Sequence, residues 1–146
     1  DAQESRGLGD VYKRQIRDSA KLAQAYASAT TAKIAVVTGK AYGSAYVALA
    51  STAAGSDFTF AWEGAVIAPT TPEAAVVFLN GVSEDNAKQA QEYADNEADA
   101  FTAAANGYVD RVITAEDTKS ALTSAIEATS SKRVVTPAKK HVNFVY

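Results

Sequence analysis

Residues 33–49 read K-I-A-V-V-T-G-K-A-Y-G-S-A-Y-V-A-L, and this stretch decides the fold. Its β-branched apolar part, residues 34–37, is short enough to predict a buried strand. Gly39 and Gly43 follow, and we expect them to permit a sharp turn where a Cβ would clash. The small and apolar residues over 43–54 predict a helix that is buried on nearly all sides. Together these features predict an α/β unit.

A helix that begins directly after a glycine turn leaves its first backbone N–H groups without partners inside the helix. Together with the helix dipole, such N–H groups stabilise a negatively charged oxygen. The sequence therefore predicts an oxyanion-stabilising turn in which the N–H groups of Ser44 and Ala45 are the donors. The alternative is an ordinary connecting turn, because strand–glycine–helix turns that bind nothing are common in α/β proteins.

The composition excludes several classes of function. The chain has 146 residues, is 47% apolar and 21% charged, and predicts one globular domain. Its formal charge of −3 does not favour nucleic acid or an anionic membrane surface. Without Cys and with one His, no thiolate or histidine-rich metal site is expected. No apolar run is long enough for membrane insertion, and the cytoplasm is the expected location.

The first fifteen residues differ in character from the rest. The sequence contains no Met, and residues 10–15 read D-V-Y-K-R-Q, which one frame of a transposon end used for sequencing libraries would encode. We therefore expect residues 1–15 to be a non-native, adapter-derived segment and residues 16–146 to hold the domain. An ordinary variable N-terminal segment is the alternative.

Periodicity and capping signals predict the remaining elements. Helices are expected over 16–31, 72–81 and 83–99, and strands over 57–62, 65–68 and 108–113. Thr71 and Ser83 are expected to cap the second and third of these helices, and Thr114 to cap a last helix. Gly55 is expected to end the helix that begins at Gly43. The predicted buried stripe of that last helix comprises Leu122, Ala125, Ile126 and Thr129. Six acidic residues over 84–99 predict a solvated helix face, with an acidic docking face as the alternative.

The motif K-A-Y-G-S-A-Y at 40–46 resembles the K-A-Y-G-G-A-Y turn of the carboxyltransferase subunits of biotin-dependent acyl-CoA carboxylases and decarboxylases. These are the propionyl-CoA carboxylase beta and methylmalonyl-CoA decarboxylase alpha type. Further stretches similar to this family are A-W-E-G-A-V-I-A at 61–68, P-E-A-A-V at 72–76, G-Y-V-D-R-V-I at 107–113 and P-A-K-K-H-V-N at 137–143. The departures are Ser44 in place of Gly and Glu63 in place of Pro. The match corresponds to the C-terminal half of such a subunit.

This resemblance implies a crotonase/ClpP-like ββα spiral of the α/β class. It also implies the biotin-side half of an acyl-CoA carboxyltransferase, which moves a carboxyl group between biotin and a short-chain acyl-CoA such as propionyl-CoA or methylmalonyl-CoA. The implied cofactor is biotin, carried on a partner protein, with a coenzyme A thioester as substrate. The implied partners are the biotin carrier protein, the N-terminal carboxyltransferase half and other subunits of a homo-oligomer. The fragment alone is expected to be inactive.

The resemblance also assigns roles to residues of the turn. The backbone N–H groups of Ser44 and Ala45 are expected to form the oxyanion hole that holds the charge forming at biotin, and Gly43 permits the turn. The residues expected to line the cofactor-binding site are Gly39, Tyr42, Tyr46 and Val47. The apolar side chain of Val47 indicates a short apolar acyl group. No metal site is implied.

Three other functions remain open from the residues alone. A serine hydrolase would use Ser44 as the nucleophile, His141 as the base and Asp110 as its orienting partner, although G-x-S-x-G is absent. A non-catalytic assembly or binding fragment would expose apolar surface, and its test residues are Ile67, Val76, Phe78 and Tyr46. A nucleic-acid role is the weakest, and it would use Lys132, Arg133, Lys139 and Lys140.

Overall fold

The structure is a computed structural model that describes residues 15–135. Its elements, in chain order, are α1 (Gln15–Ser28), β1 (Ile34–Val37), β2 (Lys40–Tyr42), α2 (Gly43–Leu49), a 3₁₀ turn (Thr52–Ala54), β3 (Phe58–Trp62), β4 (Val66–Ala68), α3 (Pro72–Asn80), α4 (Asn86–Asn96), α5 (Ala100–Ala105), β5 (Arg111–Ile113) and α6 (Thr118–Thr129). One compact unit comprises Thr31–Lys132, whereas α1 belongs to a second unit. None of the helices within 15–135 has the length and apolar character needed to cross a membrane.

The unit Thr31–Lys132 contains two parallel sheets. The first has the strand order β1-β3-β5, and the second pairs β2 with β4. In the registers, Val36 lies opposite Phe60, and Ala41 lies opposite Ile67. Parallel neighbours require long crossover connections, which here contain helices. The predicted α/β class is therefore confirmed.

The central strand β3 lies between two apolar clusters. The first cluster comprises Val37, Ala61, Ala65, Ile67, Ala100, Ala103 and Val109. The second comprises Phe60, Ile113, Ala121 and Ala125. As the alternation predicted, Phe58 and Phe60 share one face, and their rings stack with centroids 6.0 Å apart. Successive residues of β3 therefore face different halves of the core.

The prediction of one buried helix over 43–54 is wrong. The α-helix ends at Leu49 and contains no buried residue, and a separate 3₁₀ turn follows. Ser51 causes the break, because its hydroxyl donates to the carbonyl of Val47 at 2.7 Å and accepts from the N–H of Ala54 at 3.2 Å. Such local side-chain bonds compete with the continuation of a helix. Gly55, with φ of 86°, ends the 3₁₀ turn rather than the α-helix.

The helices that follow β4 agree in part with the sequence. The predicted cap of α3 is confirmed, since the hydroxyl of Thr71 accepts from the N–H of Ala74 at 3.4 Å. In α6 the predicted stripe is confirmed at Ala125, which is buried, whereas Ile126 is 59% exposed and Ala121 is buried in its place. Small side chains let the helix approach the aromatic residues of the second cluster closely.

Two predicted caps lie outside their helices. Thr114 accepts from the N–H of Asp117 at 3.2 Å within a turn, and α6 begins only at Thr118. Ser83 donates its hydroxyl to the side chain of Asn86 at 2.6 Å, and α4 begins with that asparagine. In both cases the hydroxyl closes the turn before the helix, so the helix starts two or three residues later than a cap at that position predicts.

A charged clasp joins the start of β1, the start of β3 and the chain after α6. The carboxylate oxygen Oδ2 of Asp57 accepts from the N–H of Lys33 and from Nζ of Lys132, each at 2.7 Å. The same Nζ donates to the carbonyl of Thr31 at 3.2 Å. The hydrogen bond from Lys132, followed by that from Lys33, lowers the pKa of Asp57 below its usual value. The ionised carboxylate is therefore part of the folded structure.

Candidate functional site

The glycine turn is formed by β2 and the first residues of α2. The strand β2 was not predicted; it ends at Tyr42, which precedes the helix with an extended backbone and makes no side-chain capping bond. Gly43 has a φ of 65°, which lies in the left-handed region that side-chain-bearing residues rarely adopt. The first N–H groups of α2 have no acceptor within the helix. Ser44 and Ala45, which carry two of these groups, are exposed.

The two glycine positions of the turn differ in whether the backbone conformation requires glycine. A Cβ built on Gly43 would meet the carbonyl oxygen of Pro69 at 3.8 Å, which is an ordinary contact. A Cβ on Gly39 would meet nothing within 4 Å, and this glycine has no positive φ. The expectation of a Cβ clash is therefore wrong at Gly39, and at Gly43 the backbone angle, not a neighbouring atom, disfavours a Cβ. The turn requires glycine at position 43 for its backbone angle, and at position 39 the structure shows no such requirement.

A cavity of about 390 Å³, here named the turn cavity, opens beside this turn. Four predicted site residues line it, namely Gly39, Tyr42, Ala45 and Tyr46. Val47 instead lines a second cavity of about 420 Å³, here named the tyrosine cavity, together with Tyr46 and Tyr108. The structure therefore brings most of the predicted site together, and Tyr46 lines both cavities.

The two tyrosines of the turn differ in their surroundings. Tyr46 packs against the first apolar cluster, and its hydroxyl is buried without a hydrogen-bond partner among the residues that the structure describes. Burial, and then the neighbouring Tyr108, raise the pKa of Tyr46. Burial and the charge of Glu73 raise the pKa of Tyr42. Both hydroxyls therefore stay protonated near neutral pH, so neither acts as a base.

Two hydroxyl groups hold the C-terminal end of α2. Besides the bond from Ser51 to the carbonyl of Val47, the hydroxyl of Thr59 in β3 donates to the carbonyl of Ala50 at 2.8 Å. Thr59 was not singled out in the sequence, where a threonine between two phenylalanines indicates only a strand. No local pattern signals the contact, since the two residues belong to different elements.

The proposed serine-hydrolase arrangement is not assembled in the described residues. The carboxylate of Asp110 accepts from the backbone N–H of Thr59 at 2.7 Å, and no hydrogen bond links it to Ser44. His141, the proposed base, lies outside the described residues, as does the matched stretch at 137–143. Within 15–135, no cluster of three or more His, Cys, Asp or Glu residues is placed to hold a metal ion.

Comparison with known proteins identifies relatives of this chain. The family model described as "Carboxyl transferase domain" matches residues 5–144. The chain is 38% identical over 141 residues to the propionyl-CoA carboxylase beta chain of Cereibacter sphaeroides, covering 94% of this chain and 28% of that protein. It is also 38% identical over 128 residues to the methylmalonyl-CoA decarboxylase subunit alpha of Veillonella parvula, covering 88% and 25%. The chain thus spans little more than a quarter of these relatives.

Solved structures agree with this relationship. The chain matches the transcarboxylase 12S crystal structure, described as a hexamer assembly with methylmalonyl-coenzyme A and methylmalonic acid bound, with a TM-score of 0.87 and 38% identity. That match covers 95% of this chain and 28% of the other, and it confirms the predicted crotonase-like fold. The beta subunit of Pseudomonas aeruginosa geranyl-CoA carboxylase has the same fold at 22% identity, with a TM-score of 0.67. The chain therefore belongs to the carboxyl transferase domain family.

Proposed function

We propose that this chain is part of the biotin-side half of an acyl-CoA carboxyltransferase, which moves a carboxyl group between biotin and a short-chain acyl-CoA. The observation that carries the proposal is the K-A-Y-G-S-A-Y turn, in which Gly43 has a φ of 65° and α2 begins without a side-chain cap. This geometry leaves the N–H groups of Ser44 and Ala45 available to an oxyanion. Carboxylases and decarboxylases run this half-reaction alike, so the proposal covers both.

The residues at the turn fit biotin. When bound, biotin supplies the nitrogen that carries the carboxyl group and a neighbouring ureido oxygen on which negative charge develops. The N–H groups of Ser44 and Ala45 would donate to that oxygen, and the turn cavity of about 390 Å³ lies beside Ala45. Loss of one such fixed donor typically costs ~3 kcal/mol of barrier. Backbone donors suffice for this task, so it requires neither Cys nor His.

The substrate and partners are part of the same proposal. Val47 places an apolar side chain at the tyrosine cavity, which supports a short apolar acyl group such as that of propionyl-CoA or methylmalonyl-CoA. The relatives named above act on CoA thioesters by their printed names. The proposed partners are a biotin carrier protein, an N-terminal carboxyltransferase half and further copies of the subunit. The cytoplasmic location and the adapter origin of residues 1–15 stay predictions.

The test is a titration of the ¹⁵N-labelled chain with free biotin, observed by heteronuclear NMR. We expect the largest amide shifts at Ser44 and Ala45, because hydrogen bonding changes the environment of these N–H groups directly. The matched variants are Ser44→Ala, which keeps the N–H, and Ser44→Pro, which removes it. The Ala variant should bind biotin as the wild type does, whereas the Pro variant should lose most of the response at Ala45.

Two results would contradict the proposed function. One is an absence of any shift at Ser44 and Ala45 at biotin concentrations that saturate a known carboxyltransferase subunit. The other is an equal response of the Ala and Pro variants, because the backbone N–H would then have no part in binding.

A second candidate function, an assembly fragment without catalysis, has one observation in its favour. Phe78 is 88% exposed, and its neighbours Leu79 and Val82 are 62% and 89% exposed. Of the other test residues, Ile67 and Val76 are buried and Tyr46 is partly buried. Sedimentation of the chain distinguishes the candidates, because a monomer that binds biotin supports the first and a stable oligomer that does not bind biotin supports the second.

A further inference from the structure

The site helix α2 is held mainly from its C-terminal end. It has seven residues, none of them buried, and Tyr42 adds no side-chain cap at its start. An isolated helix of this length is unstable in water, so its position depends on contacts with the rest of the fold. These contacts include the packing of Tyr46 and Ala50 against the first apolar cluster and the hydrogen bond from Thr59 to the carbonyl of Ala50, besides the local bond from Ser51 described above.

The buried strand β3 fixes the position of Thr59. Its exposure is 0%, and it lies in the central strand with Ala35 of β1 opposite. On the other side, its N–H donates to the carboxylate of Asp110 at 2.7 Å, and its carbonyl accepts from the N–H of Asp110 at 2.9 Å. Both backbone groups of Thr59 are therefore bonded to Asp110, and its place in the sheet gives its hydroxyl a defined direction.

The hydroxyl of Thr59 donates to Ala50, which directly follows α2 and also lines the turn cavity. The N–H of Ala50 donates back to the carbonyl of Tyr46 at 2.9 Å, so the bond from Thr59 continues into the helix. Ser44 lies six residues before Ala50, or about 9 Å along the helix axis. A small tilt at Ala50 therefore displaces the N–H groups of Ser44 and Ala45, which must be placed within about 0.5 Å to stabilise an oxyanion.

We infer that the hydroxyl of Thr59 is a positioning group for the oxyanion donors of Ser44 and Ala45, because it fixes the far end of the helix that carries them. This inference rests on the proposed function. Thr59 touches neither donor, and its role is exerted through Ala50. Removal of the hydroxyl leaves the carbonyl of Ala50 without this donor. The unsatisfied carbonyl is unfavourable, so the end of the helix is expected to shift toward another donor.

The test compares Thr59→Val, which keeps the shape of the side chain without the hydroxyl, with Thr59→Ser, which keeps the hydroxyl. Thr118→Val is the control, because it removes another hydroxyl, one that accepts from Nε1 of Trp62 at 2.9 Å in a contact outside α2. Two quantities are measured on the 146-residue chain. They are the hydrogen exchange of the Ala50 amide relative to the amides of β3, and the dissociation constant of free biotin from the amide shifts of Ser44 and Ala45.

We expect Thr59→Val to speed the relative exchange of Ala50 and to weaken biotin binding, each by about tenfold, as the loss of one hydrogen bond implies. Thr59→Ser should restore both quantities to within about twofold of the wild type. Thr118→Val should lower overall stability and leave both quantities unchanged. The same pattern would not arise if Thr59 only stabilised the sheet, because the control also loses hydrogen bonds, to Trp62 of β3 and to the carbonyl of Thr114.

The inference is overturned if Thr59→Val leaves the relative exchange of Ala50 unchanged, if the control changes it equally, or if Thr59→Ser loses as much as Thr59→Val. A wild-type chain without any biotin response would contradict the proposed function instead. In that case the exchange of Ala50 still decides whether Thr59 fixes the helix, so the two failures are distinguishable.

Discussion

The helix α2 and the strand β3 are close in sequence but differ in burial. In β3, Thr59 and Ala61 are fully buried and Phe60 is 6% exposed, whereas α2 has no buried residue. The strand pairs with parallel neighbours on both sides. The helix carries the two proposed donors on its backbone and depends on the strand for one of its anchors.

This difference in burial indicates that β3 contributes mainly to stability, whereas α2 contributes to the proposed chemistry. In β3 the identity and shape of each side chain matter, because the strand is packed against both apolar clusters. In α2 the backbone angles matter, because the proposed donors are N–H groups that every residue except Pro carries. Side-chain substitutions in the strand should therefore change the free energy of unfolding, and removal of a backbone N–H at the turn should change binding and catalysis.

The largest effect is expected in the strand. Phe60→Ala should lower the free energy of unfolding by about 4 kcal/mol, because it removes a buried ring and leaves a cavity in the second cluster. Phe78→Ala, at a position that is 88% exposed, is the matched control and should change it by less than about 0.5 kcal/mol. Urea unfolding of both variants measures the contrast. Equal losses would show that the exposed phenylalanine is covered in solution.

The next largest effect is expected at Ser44, at the start of α2, and is a decrease in kcat. Ser44→Pro in the intact carboxyltransferase subunit should reduce kcat by about 10² to 10³-fold, because one oxyanion donor is removed. Ser44→Ala should stay within about threefold of the wild type, since it retains the N–H. Steady-state carboxyl transfer from a biotin carrier measures both. If the Ala variant were as impaired as the Pro variant, the side chain rather than the backbone would be responsible.

A smaller effect distinguishes the two glycines of the turn. Gly43→Ala should lower the free energy of unfolding by about 1–2 kcal/mol, because an L-residue at a φ of 65° is strained. Gly39→Ala should change it by less than about 0.5 kcal/mol, because its Cβ meets nothing within 4 Å. Thermal unfolding followed by circular dichroism compares the two. A larger loss at Gly39 would contradict the open space that the structure shows around this residue.

The smallest effect concerns the clasp and depends on pH. The pKa of Asp57 is lowered in the folded state, so its contribution to stability is present above the unfolded pKa and is lost as pH falls through the folded pKa. Lys132→Met should therefore lower the free energy of unfolding by about 1 kcal/mol at neutral pH. The difference from the wild type should disappear in acid, below the usual carboxyl pKa of about 4.

Lys88→Met is the matched control for the clasp. Lys88 pairs with Glu92 at 3.9 Å on the exposed face of α4, where both side chains are more than half exposed. Its removal should change stability by only a few tenths of a kcal/mol at any pH. A Lys132 effect that persisted or grew toward acid pH would show that the lysine acts through packing and not through the carboxylate of Asp57.

Local signals were sufficient for much of the fold. The cap at Thr71 and the alternation of Phe58 and Phe60 follow from neighbouring residues, and both are present in the structure. The strand β2 was missed because its three residues pair with Val66–Ala68, far along the chain. The early end of α2 was missed because small residues continue to residue 54, and only the bonds of Ser51 show the break.

The part of the site that the sequence predicted is the local turn. The K-A-Y-G-S-A-Y motif located Gly43, and its positive φ shows why glycine stands there. The requirement at Gly39 was expected from residue type alone, and the open space around it contradicts that expectation. Thr59 could not be found from the sequence, since a threonine in a strand is ordinary and its bond to Ala50 depends on how the elements pack.

The bond from Nζ of Lys132 to the carbonyl of Thr31 has a consequence for protein engineering. Thr31 and Lys132 are the first and last residues of the compact unit. The side chain of Lys132 reaches Thr31, with 3.2 Å between Nζ and the carbonyl oxygen. The two ends of this unit therefore lie side by side. Such a unit can be circularly permuted or inserted into the loop of a host protein, with a short linker joining the original ends.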